Sequence, residues 1–190
     1  MKTSRILFNI IDYFTPNYLN PRECIWKIKR HFLNNAGMHI SKNVFIDKNL
    51  YWLEGNEAHI SIDEYTIIGH NLKLYPFNKI HIGKFCMFSA DVSIINGGHN
   101  TNNLEPFSGP VEIGHGCWIG YGVRIIGPLK IGDNCIIGAG SLVKDDIPDN
   151  SIVVGVPGKV IKKRKLADKM WHLADLHFCP KTFTLISKQD

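Results

Sequence analysis

The 190-residue chain carries 22 Lys and Arg against 17 Asp and Glu, a formal charge of +5, with 44% hydrophobic and 21% charged residues. This is the composition of an ordinary soluble protein long enough to bury a full core, and no run approaches the roughly twenty consecutive apolar residues of a membrane span. The charge is too small for general nucleic-acid binding, but six basic residues between Lys159 and Lys169 point to an anionic partner near the C-terminus.

The N-terminal stretch MKTSRILFNIIDYF starts basic and turns apolar. Asn9 and Asp12 interrupt the apolar run and no small-residue cleavage site precedes Pro16, so it reads as a mature amphipathic helix rather than a signal peptide. Residues 4–36 are expected to be mainly helical. One stripe is Ile6, Leu7, Ile10 and Ile11, another is Ile25, Ile28 and Phe32, and Pro16 and Pro21 break the segment between them. Arg22, Lys27, Lys29 and Arg30 accompany the apolar residues, which leaves a weak membrane-surface association as a secondary reading.

From about Ile40 the helical period disappears, and Val44 and Ile46 begin an irregular coil. Ile62, Ile68, Leu74 and Ile80 then recur every six residues; the register slips by two and resumes at Ile82, Phe88 and Ile94. After a gap it returns as Ile113, Ile119, Ile125, Ile131, Ile137 and Val143, with Gly114, Gly120, Gly132 and Gly138 in second place. Neither a helix nor a lone strand repeats in sixes; an aliphatic residue followed by glycine at that period is the hexapeptide signature of a parallel β-helix. The leading aliphatic points inward, and the glycine is expected to relieve crowding where the backbone bends. The fifth places, among them Cys117, Cys135 and the matching Cys86, should also face inward as small residues. The five cysteines show no CxxC and no zinc spacing, and unpaired buried thiols fit a reducing cytoplasm.

The fold expected is therefore an all-β solenoid in three parts. Residues 1–40 form a helical segment covering the open first coil, residues 41–158 the β-helix, and residues 159–190 a basic tail. The gap at 95–110, rich in Gly, Asn and Pro, reads as a loop leaving the coil, where a solenoid can place function without disturbing its stacking. Ser151 to Val154 reads as a last short strand, and 165–178 as a helix with Leu166, Met170, Leu173 and Leu176 on one side.

Histidine is the natural proton carrier near neutral pH. His59, His70 and His81 lie 11 residues apart, which is not a coil repeat, so they should not converge. His172 and His177 fall in the tail, and His115 holds a turn position that any polar residue could fill. His99 differs, because it follows two glycines inside the only large insertion. A metal site is not expected, since no set of three suitably spaced ligands occurs within the coils.

The segments GGHNTNN, GPVEIGHGCWIG, IGDNCIIGAGSLV and DDIPDNSIVVGVPGKVIKKR, in that order, resemble the hexapeptide-repeat acyltransferases over about residues 60–165. The likeness is to the branch with sugar and surface-polysaccharide O-acetyltransferases. It implies a left-handed β-helix, a homotrimer with active sites in clefts between coils, acetyl-CoA as donor, and a catalytic histidine in the inserted loop. Carried onto this chain, that histidine is His99, with Asn96 and Glu105 as candidates for orienting its ring, neither favoured. Trp118 matches a tryptophan along the cleft, and Gly120, Tyr121 and Ala139 match positions lining the pantetheine arm. Lys159 and Lys162 match basic positions meeting the CoA phosphates. Lys144 stands where many relatives have threonine and Asp145 where they have lysine, so one donor contact there is moved or lost. The loop lacks the motifs of the chloramphenicol-modifying and serine-acetylating branches, which leaves a sugar as the default acceptor.

The resulting expectation is a cytoplasmic, acetyl-CoA-dependent O-acetyltransferase without a metal. It would act on a sugar hydroxyl of a surface polysaccharide or a lipid- or nucleotide-linked precursor, by direct transfer with His99 as general base. N-acetylation of a nucleotide-linked amino sugar is the first alternative, and a non-catalytic trimeric scaffold the second.

Overall fold

The computed structural model describes residues 2–14 and 23–167. From residue 39 to residue 155 the chain winds as a left-handed parallel β-helix with three faces. The first face stacks His39–Ile40, Ile60–Ile62, Ile80–Ile82, Val111–Ile113 and Leu129–Ile131. The second stacks Phe45–Ile46, Ile67–Ile68, Met87–Phe88, Trp118–Ile119, Ile136–Ile137 and Ser151–Gly155. The third stacks Tyr51–Trp52, Lys73–Tyr75, Ser93–Ile95, Arg124–Ile126 and Leu142–Val143.

The six-residue period is the count from one face to the next, so residues a full turn apart stand above one another. Ile62, Ile82, Ile113 and Ile131 form one inner column. Ile68, Phe88, Ile119, Ile137 and Val153 form a second, and Leu74, Ile94, Ile125 and Val143 a third. All of these are buried. The two-residue slip has a local cause: four residues, 76–79, join the third face to the first there, whereas Gly127 and Pro128 alone make that connection later.

Cys86, Cys117 and Cys135 are buried in a fourth column that begins at Thr66. Each member of the column also donates to a carbonyl of the next turn, Thr66 Oγ1 to Gly83 at 2.8 Å, Cys86 Sγ to Gly114 at 3.0 Å, Cys117 Sγ to Gly132 at 3.1 Å and Cys135 Sγ to Pro148 at 3.2 Å.

The repeat glycines serve a different purpose from the one expected. Gly114, Gly120, Gly132 and Gly138 do not have positive φ. At Gly120, a Cβ would lie 2.7 Å from Ala139 N and 2.8 Å from Ile137 O. It is the close approach of the next turn, not the bend of their own backbone, that excludes a side chain. The left-handed corner positions are other residues, including Asn71, Asp91, Gly116 and Gly122.

Helices α1 (Lys2–Phe14) and α2 (Glu23–Ala36) cover the first turn. Their buried faces differ from the expected stripes: Ile6, Leu7, Ile10 and Ile28 are exposed, while Phe8, Asp12, Lys29 and Leu33 are buried. Phe8 packs edge-on against Trp52 and Trp26 against Phe45. A buried ion pair takes the place of the missing apolar contacts, Lys29 Nζ meeting Asp12 Oδ1 at 2.7 Å. Lys29 is therefore not available to a membrane surface, and no helix among the described residues is long and apolar enough to cross one.

At the other end the chain reverses after Ser151–Gly155, and Gly158–Lys163 runs back antiparallel to it. Residues 165–167 carry no regular structure, and the rest of the helix expected over 165–178 lies outside the described residues.

Candidate active site

The insertion is a two-stranded ribbon. Gly97–His99 pairs antiparallel with Pro106–Ser108, and His99 stands opposite Pro106. The ribbon leaves at the vertex between the third and first faces, and its tip is closed by its own hydrogen bonds. Asn100 N donates to Glu105 O at 2.9 Å, Leu104 N to Asn100 O at 2.8 Å, and Glu105 N to Asn103 Oδ1 at 3.1 Å.

His99 is exposed, and its Nδ1 lies 2.8 Å from the carbonyl oxygen of Leu104. A carbonyl only accepts, so in the neutral ring Nδ1 carries the hydrogen and Nε2 presents its lone pair to solvent. Leu104 adopts φ 59°, a left-handed conformation that L residues with a side chain rarely take, and this turn belongs to the loop that brings its carbonyl to the ring. Asn96, a candidate for that duty, is committed elsewhere. Fully buried, it receives Asn78 N at 3.1 Å and donates to Asn78 O at 2.8 Å and Lys79 O at 3.0 Å, fixing the base of the ribbon. The ring's Nδ1 goes to Leu104 rather than to Glu105.

The other coil histidines have separate partners. His81 Nε2 lies 3.1 Å from Asp63 Oδ2, and His59 Nδ1 lies 3.0 Å from Pro76 O. His115 does more than fill a turn: its Nδ1 accepts the Lys84 N–H at 2.9 Å, joining two turns.

Trp118, Gly120, Tyr121 and Ala139 come together on the second face and the vertex that follows it. Trp118 is 47% exposed, and its Nε1 reaches Ser89 Oγ at 3.4 Å. Gly140 N donates to Tyr121 O at 2.7 Å, holding this vertex to the next turn. Tyr121 hydrogen-bonds Asp91, which raises the phenol above its ordinary pKa; the Asp91 carboxyl is held below its own by Asn71 and then by Tyr121.

Strand register continues the row outward: Trp118 pairs with Ile136, Ile136 with Ile152, and Ile152 with Lys162. Three strand spacings separate the indole from the lysine, about 14 Å. Lys159, opposite Val154, lies on the same outer strand. Lys144 is exposed just beyond Leu142–Val143 on the third face and does not join this row.

A single chain does not bring His99 to Trp118. In a three-sided coil the vertex between the third and first faces is opposite the second face, so His99 and the row lie on opposite sides of the chain.

A family model described as bacterial transferase hexapeptide (six repeats) matches residues 110–145. The galactoside O-acetyltransferase of Escherichia coli K12 is 33% identical over 141 residues, covering 72% of this chain and 68% of that protein. A maltose O-acetyltransferase from Clostridium difficile 630 superimposes with a TM-score of 0.72 at 30% identity, covering 87% of this chain and 84% of that one. A galactoside acetyltransferase solved in complex with coenzyme A gives a TM-score of 0.63 at 26% identity, covering 86% and 82%. With its stacked columns, its inserted ribbon and these relatives, the chain belongs to the hexapeptide-repeat acyltransferase family, enzymes built on the left-handed parallel β-helix.

Proposed function

We propose that the chain is an acetyl-CoA-dependent O-acetyltransferase acting on a sugar hydroxyl of a surface polysaccharide or its precursor. The observation that carries this reading is the His99–Leu104 hydrogen bond, which leaves Nε2 as a directed, solvent-facing base. Nε2 takes the proton of the acceptor hydroxyl as its oxygen attacks the thioester carbonyl. The tetrahedral intermediate then collapses, the C–S bond breaks, and the imidazolium returns its proton to the CoA sulfur. A backbone N–H of the cleft stabilises the oxyanion.

Trp118, Gly120, Tyr121 and Ala139 line the acyl and pantetheine path, and Lys159 and Lys162 meet the phosphates. Lys144, removed from that row, is the weakest of the donor-binding assignments. Solved relatives hold coenzyme A, which supports this donor, and the galactoside and maltose enzymes support a sugar acceptor.

Because the base and the donor row occupy opposite sides of one subunit, a complete site takes the ribbon of one chain and the second face of its neighbour. A cyclic homotrimer satisfies this with three equivalent sites. Residues 1–40 cap the coil, 41–158 carry the site with the ribbon at 95–110, and 159–190 supply the basic donor-binding tail. Three unpaired, buried thiols support a cytoplasmic setting. An acyl-cysteine route is disfavoured. Among the described residues the three coil thiols, Cys86, Cys117 and Cys135, are buried, and that of Cys117 is pushed up to about 12, the lowering contact of Cys135 being outweighed by Cys86 and by burial.

The test is incubation with acetyl-CoA and a panel of hydroxyl and amino sugars, read by mass spectrometry. A hydroxylamine-labile ester is the expected product. A stable amide would move the assignment to amino-sugar N-acetylation, and no transfer to any acceptor would favour the scaffold.

A further inference from the structure

Gly97 is not a glycine for conformational reasons, since its φ is not positive. It is a glycine because Phe77 lies against it: a Cβ there would fall 2.8 Å from Cγ and Cδ2 of the ring and 2.9 Å from its Cβ. Gly97 and His99 are two apart on one strand and project to the same face of the ribbon, about 7 Å from each other. Phe77 therefore occupies the face from which His99 projects. It belongs to the four-residue connection 76–79 that causes the register slip, and buried Asn96 clamps that connection through Asn78 and Lys79. The ring is nonetheless 46% exposed. A large apolar side chain is thus pinned on one side by backbone and left open on the other, on the same face of the ribbon as the proposed base.

We propose that Phe77 is the platform on which the acceptor sugar rests, a specificity-determining residue for this site. The inference depends on His99 being the base. Phenylalanine offers no hydrogen bond, so it is complementary to an unbroken C–H face of a pyranose, against which an aromatic ring buries apolar surface. In a galactoside the axial O4 leaves the C3, C4 and C5 hydrogens gathered on the opposite face, whereas a glucoside, with its hydroxyls equatorial, divides its C–H bonds between the two faces and offers no such contiguous patch. Phe77 therefore selects galacto-configured acceptors and presents a hydroxyl to Nε2 of His99.

The probes are methyl β-galactoside and methyl β-glucoside with acetyl-CoA, and the readouts are acceptor and donor KM together with saturation-transfer NMR of each glycoside. The wild-type chain should prefer the galactoside, with the strongest transfer at H3, H4 and H5. Phe77→Ala should raise the galactoside KM by about tenfold, leave the acetyl-CoA KM unchanged and erase the preference, while Phe77→Trp should retain it. Gly97→Ala should act like Phe77→Ala by displacing the ring, and should add nothing in the Phe77→Ala background. An unchanged acceptor KM in Phe77→Ala, or failure of the wild type to bind either glycoside, would overturn the proposal. His99→Ala in the same assay separates the two readings. If it abolishes turnover while Phe77→Ala does nothing, the platform fails and the base stands; if it leaves turnover intact, the base assignment itself has failed.

Discussion

Lys29 Nζ lies 2.7 Å from Asp12 Oδ1, with the two side chains 2% and 8% exposed. The same ammonium reaches Ile46 O at 3.3 Å and Asp47 O at 3.1 Å, and Asp12 Oδ2 accepts Asn49 N at 2.6 Å. Two helices and the first turn are thereby joined at one buried point. Lys29→Ala leaves the carboxylate unpaired, and should destabilise by about 3–5 kcal/mol in urea denaturation. The double change Lys29→Met with Asp12→Leu should cost much less than the sum of the single substitutions. Additive losses would show that the two groups act independently.

His99→Ala should lower turnover by roughly 10²–10⁴-fold, with acetyl-CoA affinity and melting temperature little changed, because the ribbon lies outside the stacked turns. His99→Gln should be nearly as poor, since an amide hydrogen-bonds but cannot take the proton. A variant retaining more than about a tenth of wild-type turnover would exclude the assignment. The bonds that His81 and His115 already make leave them poor replacements.

Lys162→Ala should raise the KM for acetyl-CoA on the order of tenfold while leaving that for the sugar alone, because a lysine–phosphate contact is charge-assisted. Repeating the measurement with dephospho-CoA locates the contact. If the loss persists unchanged, the 3′-phosphate is not what Lys162 meets. Lys144→Ala, away from the row, should have a smaller effect than either Lys159→Ala or Lys162→Ala.

The Cys117 thiol, raised to about 12 from an ordinary 9.0, predicts an alkaline weakness. Its folded pKa exceeds its unfolded one, so its contribution to stability is fully present below about pH 9. That contribution is lost as pH rises toward 12, where the unfolded chain has released a proton that the folded chain keeps. The melting temperature should fall across that window, and Cys117→Ala should flatten the fall. Cys86, Cys117 and Cys135 should also resist alkylation at neutral pH; rapid labelling at these three positions, located by peptide mapping, would show that the column opens.

The columns of the coil were legible because a six-residue period leaves little choice about which residues share a face. The helical cap was misread for a physical reason: hydrophobic periodicity assigns Lys29 and Asp12 to solvent, yet their ion pair and backbone bonds allow them to displace Ile6, Ile10 and Ile28 from the interior. Within the proposed site, His99 stood out in the sequence as the histidine of the large insertion. Leu104 was not, because it contributes a carbonyl that every residue possesses. Phe77 did leave a trace, the two-residue slip after Ile80, which becomes interpretable once the extra residues are seen at the vertex beneath the ribbon. That His99 and Trp118 lie on opposite sides was implicit in the count of faces between them.

From Ile113 to Ile131 a turn takes 18 residues, its inner positions continue the columns of the turn before it, and its first strand pairs in register with both neighbours. Length is therefore a modular variable in this protein. Gene duplication of a single turn would add one rung of about 4.8 Å to the prism. Such a chain would keep the same ribbon and the same two ends, but Lys162 would sit one rung further from Trp118. On the proposed donor path, the span from the indole to the basic strand, rather than the stability of the coil, would set how many turns could be gained between them.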